Sequence, residues 1–167
     1  MNQFDFIAKT NFFKDKLYRL AKRLLVSNEE AEDATQEVLV KLWNHKSLEK
    51  INSLEAMAMT INKNYCLDQL KSKRAQNLYK IDDTLLNNNE NLHKNTEDKD
   101  SLNWVEKIIN QLPEQQRLIV QLREIEQYEF DEIEKILDMN QTAIRVALSR
   151  ARKTIKENMS KTHNYGL

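Results

Sequence analysis

The near absence of glycine and proline limits the folds open to this chain more than any other feature of its sequence. The 167 residues include one glycine, Gly166, and one proline, Pro113, whereas soluble proteins average about 7% and about 5%. Tight β-hairpins and glycine-rich phosphate loops need glycine at positive φ angles. The sequence therefore predicts an all-α fold and excludes proteins that bind nucleotides through such loops.

The spacing of apolar residues predicts three helices in the first 75 residues. They are expected over residues 6–25, 28–44 and 53–75. Ser27 is placed to cap the second helix, with Glu30 three residues later as the second half of a capping box.

The same spacing predicts which side chains are buried. One side of the third helix is lined by Met57, Ile61, Tyr65 or Cys66, and Leu70. Trp43 follows Leu39 and Leu42 on the apolar stripe of the second helix, so we expect its ring in the core and not in a base-stacking role.

A polar segment follows these helices. Residues 77–101 lack apolar periodicity, and their composition cannot bury enough surface to become ordered. We expect a flexible linker there, between a domain of residues 1–76 and a second domain of residues 102–160, with a short tail at 161–167.

The second domain is predicted to contain four helices. Its first helix should end at Pro113, because the residue before a proline is pushed out of the α region. Its last two helices, over residues 129–137 and 141–153, are separated by a short turn and form a candidate helix-turn-helix. The apolar residues expected to pack between them are Ile133, Ile136, Leu137, Met139, Ile144 and Leu148.

Charge is unevenly distributed along a chain whose 26 basic and 26 acidic side chains cancel. Residues 141–161 carry six basic side chains and one acid, a net charge of about +5, whereas residues 124–134 carry acids and no base. Such a basic face could contact DNA phosphates. A plain helical hairpin with a solvated basic face would explain the pattern equally well, so the motif alone leaves both interpretations open.

Other classes of site lack the residues that they need. Cys66 is the single cysteine and the three histidines are scattered, so we expect no disulfide, no metal site and no redox chemistry. Since no catalytic constellation is recognisable, we predict no enzyme, no cofactor and no small-molecule substrate. The chain also lacks a signal-peptide pattern and a run of ~20 apolar residues, so a cytoplasmic protein without membrane insertion is expected.

Residues 109–157 resemble the promoter-binding domain of bacterial sigma factors of the sigma-70 family, in particular the extracytoplasmic-function (ECF) group. The resemblance is carried by Leu112-Pro113, by Arg117, by residues 122–124 (LRE) and above all by residues 148–152 (LSRAR). A second, independent match lies upstream, where residues 31–38 (AEDATQEV) and Leu42-Trp43 look like the family's polymerase-binding helix. Asn64, Asp68 and Lys71 follow at the expected distances.

The chain departs from the family pattern at several positions. Leu39 and Met57 replace larger aromatic residues in what should be conservative core changes. Asp138 stands in the turn where glycine is common, and aspartate tolerates left-handed geometry better than most residues. Glu134 replaces a small alanine and can point outward. Residues 145–147 (RVA) replace the usual lysine-serine-arginine of the recognition helix, which affects the choice of bases.

The resemblance implies a protein that joins core RNA polymerase and carries it to promoters of a stress-responsive or envelope-responsive gene set. The N-terminal domain would take the minus-ten element and melt it, and the C-terminal domain would take the minus-thirty-five element. An anti-sigma factor that covers both domains is a further implied partner. The alternative is a stand-alone helix-turn-helix regulator whose N-terminal helices form a sensing or dimerisation module.

The resemblance also assigns the candidate binding residues. Core polymerase would contact a surface of Asp33, Gln36, Glu37 and Val40, although an acidic run alone is more often a solvated helix face. Minus-ten DNA would contact the loop 47–52 together with Lys50, Lys63, Asn64, Asp68, Lys71 and Arg74. Minus-thirty-five DNA would contact Thr142, Arg145, Ser149, Arg150 and Lys153, with Arg145 the best candidate for a guanine edge.

Overall fold

The computed structural model describes residues 1–48, 51, 53–84 and 101–165, and this part of the chain contains helices and no strand. The all-α prediction is therefore confirmed. Four helices form an N-terminal bundle: α1 Gln3–Asn11, α2 Lys14–Leu25, α3 Asn28–Trp43 and α4 Leu54–Thr84. Four more form a C-terminal bundle: α5 Ser101–Gln111, α6 Glu114–Val120, α7 Phe130–Leu137 and α8 Gln141–Tyr165, with a π-helical segment, Gln121–Ile125, after α6.

The predicted first helix over residues 6–25 is wrong in one respect, because the structure divides it into α1 and α2. The chain leaves the helical region at Phe13, with φ −128° and ψ 2°, and this turns the Phe13 ring into the core while Phe12 stays exposed. Upstream, the Thr10 hydroxyl donates to the Phe6 carbonyl oxygen at 2.9 Å. Burying Phe13 therefore outweighs the continuous helical pattern.

The predicted start of the next helix is confirmed. The Ser27 Oγ accepts a hydrogen bond from the Glu30 backbone N–H at 3.3 Å, which caps α3. The Glu30 carboxylate forms an ion pair with Lys73 on α4. The side chain expected to complete the capping box thus joins two helices.

Helix α4 continues to Thr84, so the predicted end near Ala75 is wrong. No glycine or proline occurs between Ala75 and Thr84, and a polar helix without a breaker can continue from a stable first part. Residues 77–84 and Ser101, assigned to the linker from the sequence, therefore belong to helices, and residues 85–100 lie outside the described residues.

The buried face of α4 is rotated from the predicted one. Cys66, predicted as an alternative to Tyr65, is completely buried, whereas Met57, Ile61, Tyr65 and Leu70 are only partly buried. Ala58, Met59 and Asn62, which were not predicted, are completely buried as well. Asn62 is a polar residue that the apolar pattern could not assign to the core. Its Nδ2 donates to the Leu17 carbonyl oxygen at 2.8 Å, which satisfies the buried amide.

The prediction of Trp43 as a core residue is wrong, since its side chain is 40% exposed. Trp43 is the last residue of α3, and its ring meets the edge of Phe6 on α1 with 4.9 Å between ring centroids. Val38 and Leu42 fill the core from this helix instead, while Leu39 is partly buried.

The two bundles pack against each other, with α2 against α6 and α4 against α7, and their buried residues form one continuous core. Arg23 of α2 lies in this interface and is 6% exposed. Its guanidinium donates to the carboxylate of Glu106 at 2.6 Å, to Gln121 Oε1 at 2.9 Å and to Asn110 Oδ1 at 2.9 Å. The structure is therefore a closed arrangement of both bundles.

Candidate nucleic-acid interface

The turn between α7 and α8 has the geometry that a helix-turn-helix needs. Glu129 and Glu132 form a capping box at the start of α7. Helix α7 ends at Asp138, whose left-handed backbone (φ 53°, ψ 48°) fits the expectation that aspartate can replace glycine there. Asn140 Oδ1 then accepts from the Ala143 N–H at 2.8 Å and caps α8.

The predicted packing between the two helices is confirmed. Five of the six expected apolar residues are buried, and the sixth, Met139, packs against them partly exposed. Glu134 does not separate the helices, because its carboxylate accepts a hydrogen bond from Gln141 Nε2 at 3.2 Å at the edge of the contact.

All five residues expected to contact minus-thirty-five DNA are exposed on one face of α8. They are Thr142, Arg145, Ser149, Arg150 and Lys153. The guanidinium carbon of Arg145 lies 4.6 Å from the centroid of the Phe130 ring, so α7 supports this side chain by a cation–π contact. The structure thus brings the five together. The contact between Arg145 and Phe130 joins two helices, so the sequence of either helix alone could not predict it.

Val146 also lies on this face; from the sequence it is a departure from the family pattern, without an assignment as a DNA contact. Its side chain is 43% exposed, whereas the next residue, Ala147, is buried at 7%. At 100° per residue, Val146 falls between Thr142, Ser149 and Arg150 on the helix surface. Helical phase counted from the buried Ile144 and Leu148 could have found it.

The residues expected at minus-ten DNA divide into two sets on α4. Asn64, Asp68 and Lys71 are exposed and share one stripe of the helix. Lys63 and Arg74 lie on a different face, towards the C-terminal bundle, where Arg74 forms an ion pair with Glu114 of α6. Lys50 lies outside the described residues.

Lys63 is partly buried beside the helix-turn-helix. Burial lowers its pKa, because desolvation disfavours the charged ammonium, and the Asp138 carboxylate raises it in part. A residue expected to meet DNA phosphates is therefore partly desolvated, and an acid of the other bundle favours its charged form.

The residues expected to contact polymerase are all exposed on one face of α3. They are Asp33, Gln36, Glu37 and Val40, and Val40 is 54% exposed. A solvated acidic face would not need the valine. Such a surface suits a partner helix with basic and apolar side chains.

Metal and membrane sites have no support in the described part of the chain. No three histidine, cysteine, aspartate or glutamate side chains there are grouped to hold a metal ion. Nor is any described helix long and apolar enough to cross a membrane.

Comparison with known proteins agrees with this geometry. The family model for sigma-70 region 2 matches residues 13–76, and the model for sigma-70 region 4 matches residues 102–155. No match was found among curated protein sequences.

Solved structures share the fold. One is the sigma factor RpoE in complex with the anti-sigma factor NepR from Bartonella quintana, with a TM-score of 0.72 and 21% identity over 93% of this chain and 97% of that chain. Another is CnrH in complex with the cytosolic domain of CnrY, with a TM-score of 0.70 and 18% identity over 96% of this chain and 90% of that chain. With both family models matched in order over more than two thirds of its length, the chain belongs to the sigma-70 family of transcription initiation factors.

Proposed function

We propose that this chain binds core RNA polymerase and directs it to a specific set of promoters, without making or breaking a covalent bond itself. The observation that carries the proposal is the recognition face of α8. Its five polar or basic side chains are exposed together, above a buried helix-turn-helix core. In a chain that also matches sigma-70 region 2, this face fits a promoter-bound subunit better than a stand-alone regulator.

Polymerase binding is assigned to the exposed face of α3 that holds Asp33, Gln36, Glu37 and Val40. Acids around an exposed valine can pair with the basic residues of a partner helix while the valine is buried in the contact. This domain, residues 1–76, would also hold the minus-ten element. Asn64 and Asp68 offer hydrogen-bonding groups to an unpaired base, and Lys71 offers a charge to phosphate.

The C-terminal domain, residues 102–160, would hold the minus-thirty-five element in the major groove. Arg145 is suited to a guanine edge, because a guanidinium can bond O6 and N7 together. Thr142 and Ser149 are suited to phosphates, and Lys153 continues the phosphate contacts along α8.

An anti-sigma factor is the further partner that we assign. Both solved structures named above were determined as complexes, one with the anti-sigma factor NepR and one with the cytosolic domain of CnrY. Our proposal places the chain in the cytoplasm, where polymerase is, and its regulon among stress-responsive or envelope-responsive genes.

Run-off transcription with purified core polymerase and a genomic promoter library tests the proposal. We expect specific transcript starts that depend on this chain. Asp33→Arg should weaken binding to core polymerase at least tenfold, while Glu157→Arg, the same charge change at an exposed site of the other bundle, should leave it within twofold. A chain that binds DNA specifically but starts no transcript with core polymerase would be a stand-alone regulator, and the proposal would be wrong.

A further inference from the structure

The recognition face of α8 contains one exposed apolar side chain, Val146. Its neighbours on the surface are Thr142, Ser149 and Arg150, all exposed and polar. Packing does not explain the valine, because Ala147 and Leu148 fill the interior at this level. Valine is also a weaker helix former than arginine, lysine, glutamine or glutamate, so it brings no local advantage at an exposed site.

Valine is well suited to one particular contact in the major groove. The thymine C5-methyl is the apolar group that a base pair presents there, and apolar side chains contact it. A β-branched side chain in a helix has one strongly preferred rotamer, so little freedom is lost when it meets the methyl group. We propose that Val146 contacts a thymine methyl in the DNA element bound by α8 and selects thymine at that position, an inference that rests on the proposed promoter binding.

Replacing single thymines by uracil in a promoter that the holoenzyme recognises tests this contact, since uracil differs by the methyl group alone. One substitution should weaken wild-type binding by about fourfold, the value of about one buried methyl group. The Val146→Ala holoenzyme should bind the thymine and uracil promoters within 1.5-fold of each other. The inference is wrong if no thymine position is sensitive, or if Val146→Ala keeps the full discrimination between thymine and uracil. In that case, transcription by the wild-type holoenzyme would still show that the proposed promoter binding is correct.

A second observation concerns the closed arrangement of the bundles. Two cations of α4 that are expected at DNA face the C-terminal bundle, and one of them is paired with an acid there. Arg74 forms an ion pair with Glu114 at the first turn of α6. Lys63 lies partly buried within the field of Asp138, at the helix-turn-helix turn.

Further ion pairs between the bundles maintain this arrangement. Arg19 of α2 makes a bidentate contact with the Glu126 carboxylate, at 2.6 and 2.8 Å. The Glu126 side chain is 2% exposed although that of Arg19 is 47% exposed, so removing the arginine would take a charged partner from a buried carboxylate. Arg23 adds its three hydrogen-bonded partners in the same interface. Contacts elsewhere in the interface therefore hold Glu114 and Asp138 in position beside α4.

We infer that the closed chain is masked against DNA. Glu114 holds Arg74 in an ion pair, and Lys63 is partly buried where α4 packs against α7, close enough to Asp138 for this acid to compensate part of its charge. Both cations would reach phosphates fully only after the bundles separate. This inference also rests on the proposed promoter binding. Its consequence is that the free protein binds nucleic acid more weakly than its number of cations would allow. A phosphate that approaches these cations must first displace a carboxylate of the protein itself.

The double variant Glu114→Gln/Asp138→Asn tests masking in the full-length chain. Asparagine keeps the left-handed turn at 138, which only glycine, asparagine and aspartate adopt readily. Its matched control is Asp131→Asn/Glu157→Gln, which has the same net charge, and both of these acids are exposed. Binding of a labelled single-stranded oligonucleotide is measured by anisotropy across a salt series.

We expect the test variant to bind at least fivefold more tightly than wild type, and the control to stay within twofold. Freeing two phosphate-binding cations should also steepen the plot of log affinity against log salt by about 1.4, since each phosphate contact on a single strand contributes about 0.7. Adding Arg74→Ala to the test variant should remove about half of this increase. Equal gains in the test and control variants, or an unchanged slope, would show that the closed form does not mask α4. This oligonucleotide assay does not require transcription, so failure of the masking inference can be distinguished from failure of the proposed function.

Discussion

The Tyr128 hydroxyl donates a hydrogen bond to Glu55 Oε1 across the boundary between the two bundles, at 2.7 Å. The same oxygen accepts from Lys16 Nζ at 2.8 Å, and this ammonium also lies 5.2 Å from the centroid of the Tyr128 ring. Burial, followed by the hydrogen bond to Glu55, raises the pKa of Tyr128 far above its usual range. The phenol therefore stays a donor at any pH at which the protein is studied.

Removing this donor should weaken the closed structure. In Tyr128→Phe the ring keeps its packing and one buried hydrogen bond to a charged acceptor is lost, so the free energy of unfolding should fall by about 2 kcal/mol. Urea denaturation followed by circular dichroism measures the change. Tyr18→Phe is the control, because the Tyr18 hydroxyl bonds Asn28 at an exposed position within one bundle, and its cost should stay below about 0.5 kcal/mol. Equal costs for the two variants would contradict a specific role for the contact.

Cys66 should be unreactive in the folded protein. Burial raises the pKa of its thiol to about 12, and the thiolate is the reactive form. At pH 8 we expect labelling by a disulfide reagent only after denaturation. Above pH 9 the unfolded chain loses the thiol proton while the folded chain keeps it, so the stability must fall as pH rises from 9 towards 12. Cys66→Ala should show a smaller fall than wild type over this range in urea titrations, and an identical pH dependence would argue against the raised pKa.

The turn residue Asp138 sets a rank order of stabilities. Its φ of 53° crowds the Cβ of any residue except glycine. Asp138→Gly should raise the free energy of unfolding by up to about 1 kcal/mol and the melting temperature with it. Asp138→Ala should lower the free energy of unfolding by about 1 kcal/mol. Asp138→Asn keeps the tolerance and removes the charge, so a large effect of that variant would identify electrostatics, and not backbone geometry, as the main contribution at this site.

Two basic residues of α8 should differ in what they contribute to promoter binding. Arg145→Ala should relax or abolish promoter choice, with a loss of about 1–3 kcal/mol on the matched element and little on a mismatched one. Lys153→Ala should weaken all promoters similarly and reduce the salt dependence. Holoenzyme binding to matched and mismatched elements at several salt concentrations measures both. Equal effects of both variants on the two kinds of element would refute these roles.

Most helices and the helix-turn-helix core could be predicted from local signals. The cap at Ser27 and the helix end at Pro113 are properties of a few adjacent residues, and the apolar spacing of Ile133, Ile136 and Ile144 repeats with the helical period. The exposed face of α8 followed from that period as well. Such features depend on the chain near them, so a single sequence contains them.

The remaining features depend on contacts between residues distant in sequence. The break at Phe13 and the burial of Asn62 reflect what lies opposite them in the fold, since Asn62 bonds the carbonyl oxygen of Leu17. Nothing in the sequence around Arg23 indicates burial, and its burial requires three acceptors from the C-terminal bundle. The division of the α4 cations into exposed and paired sets has the same origin. No local pattern predicts which acid will face which base.

The continuation of α4 to Thr84 limits how far the two bundles can separate. Only the covalent chain from Thr84 to Ser101 connects the helices, and at about 3.5 Å for each residue it reaches at most about 60 Å. Had the helix ended near Ala75, the same calculation would have allowed about 90 Å. In the proposed complex with polymerase, the recognition helix must therefore remain within a fixed radius of the end of α4, and this helix end would set an upper bound on the tolerated distance between the two promoter elements.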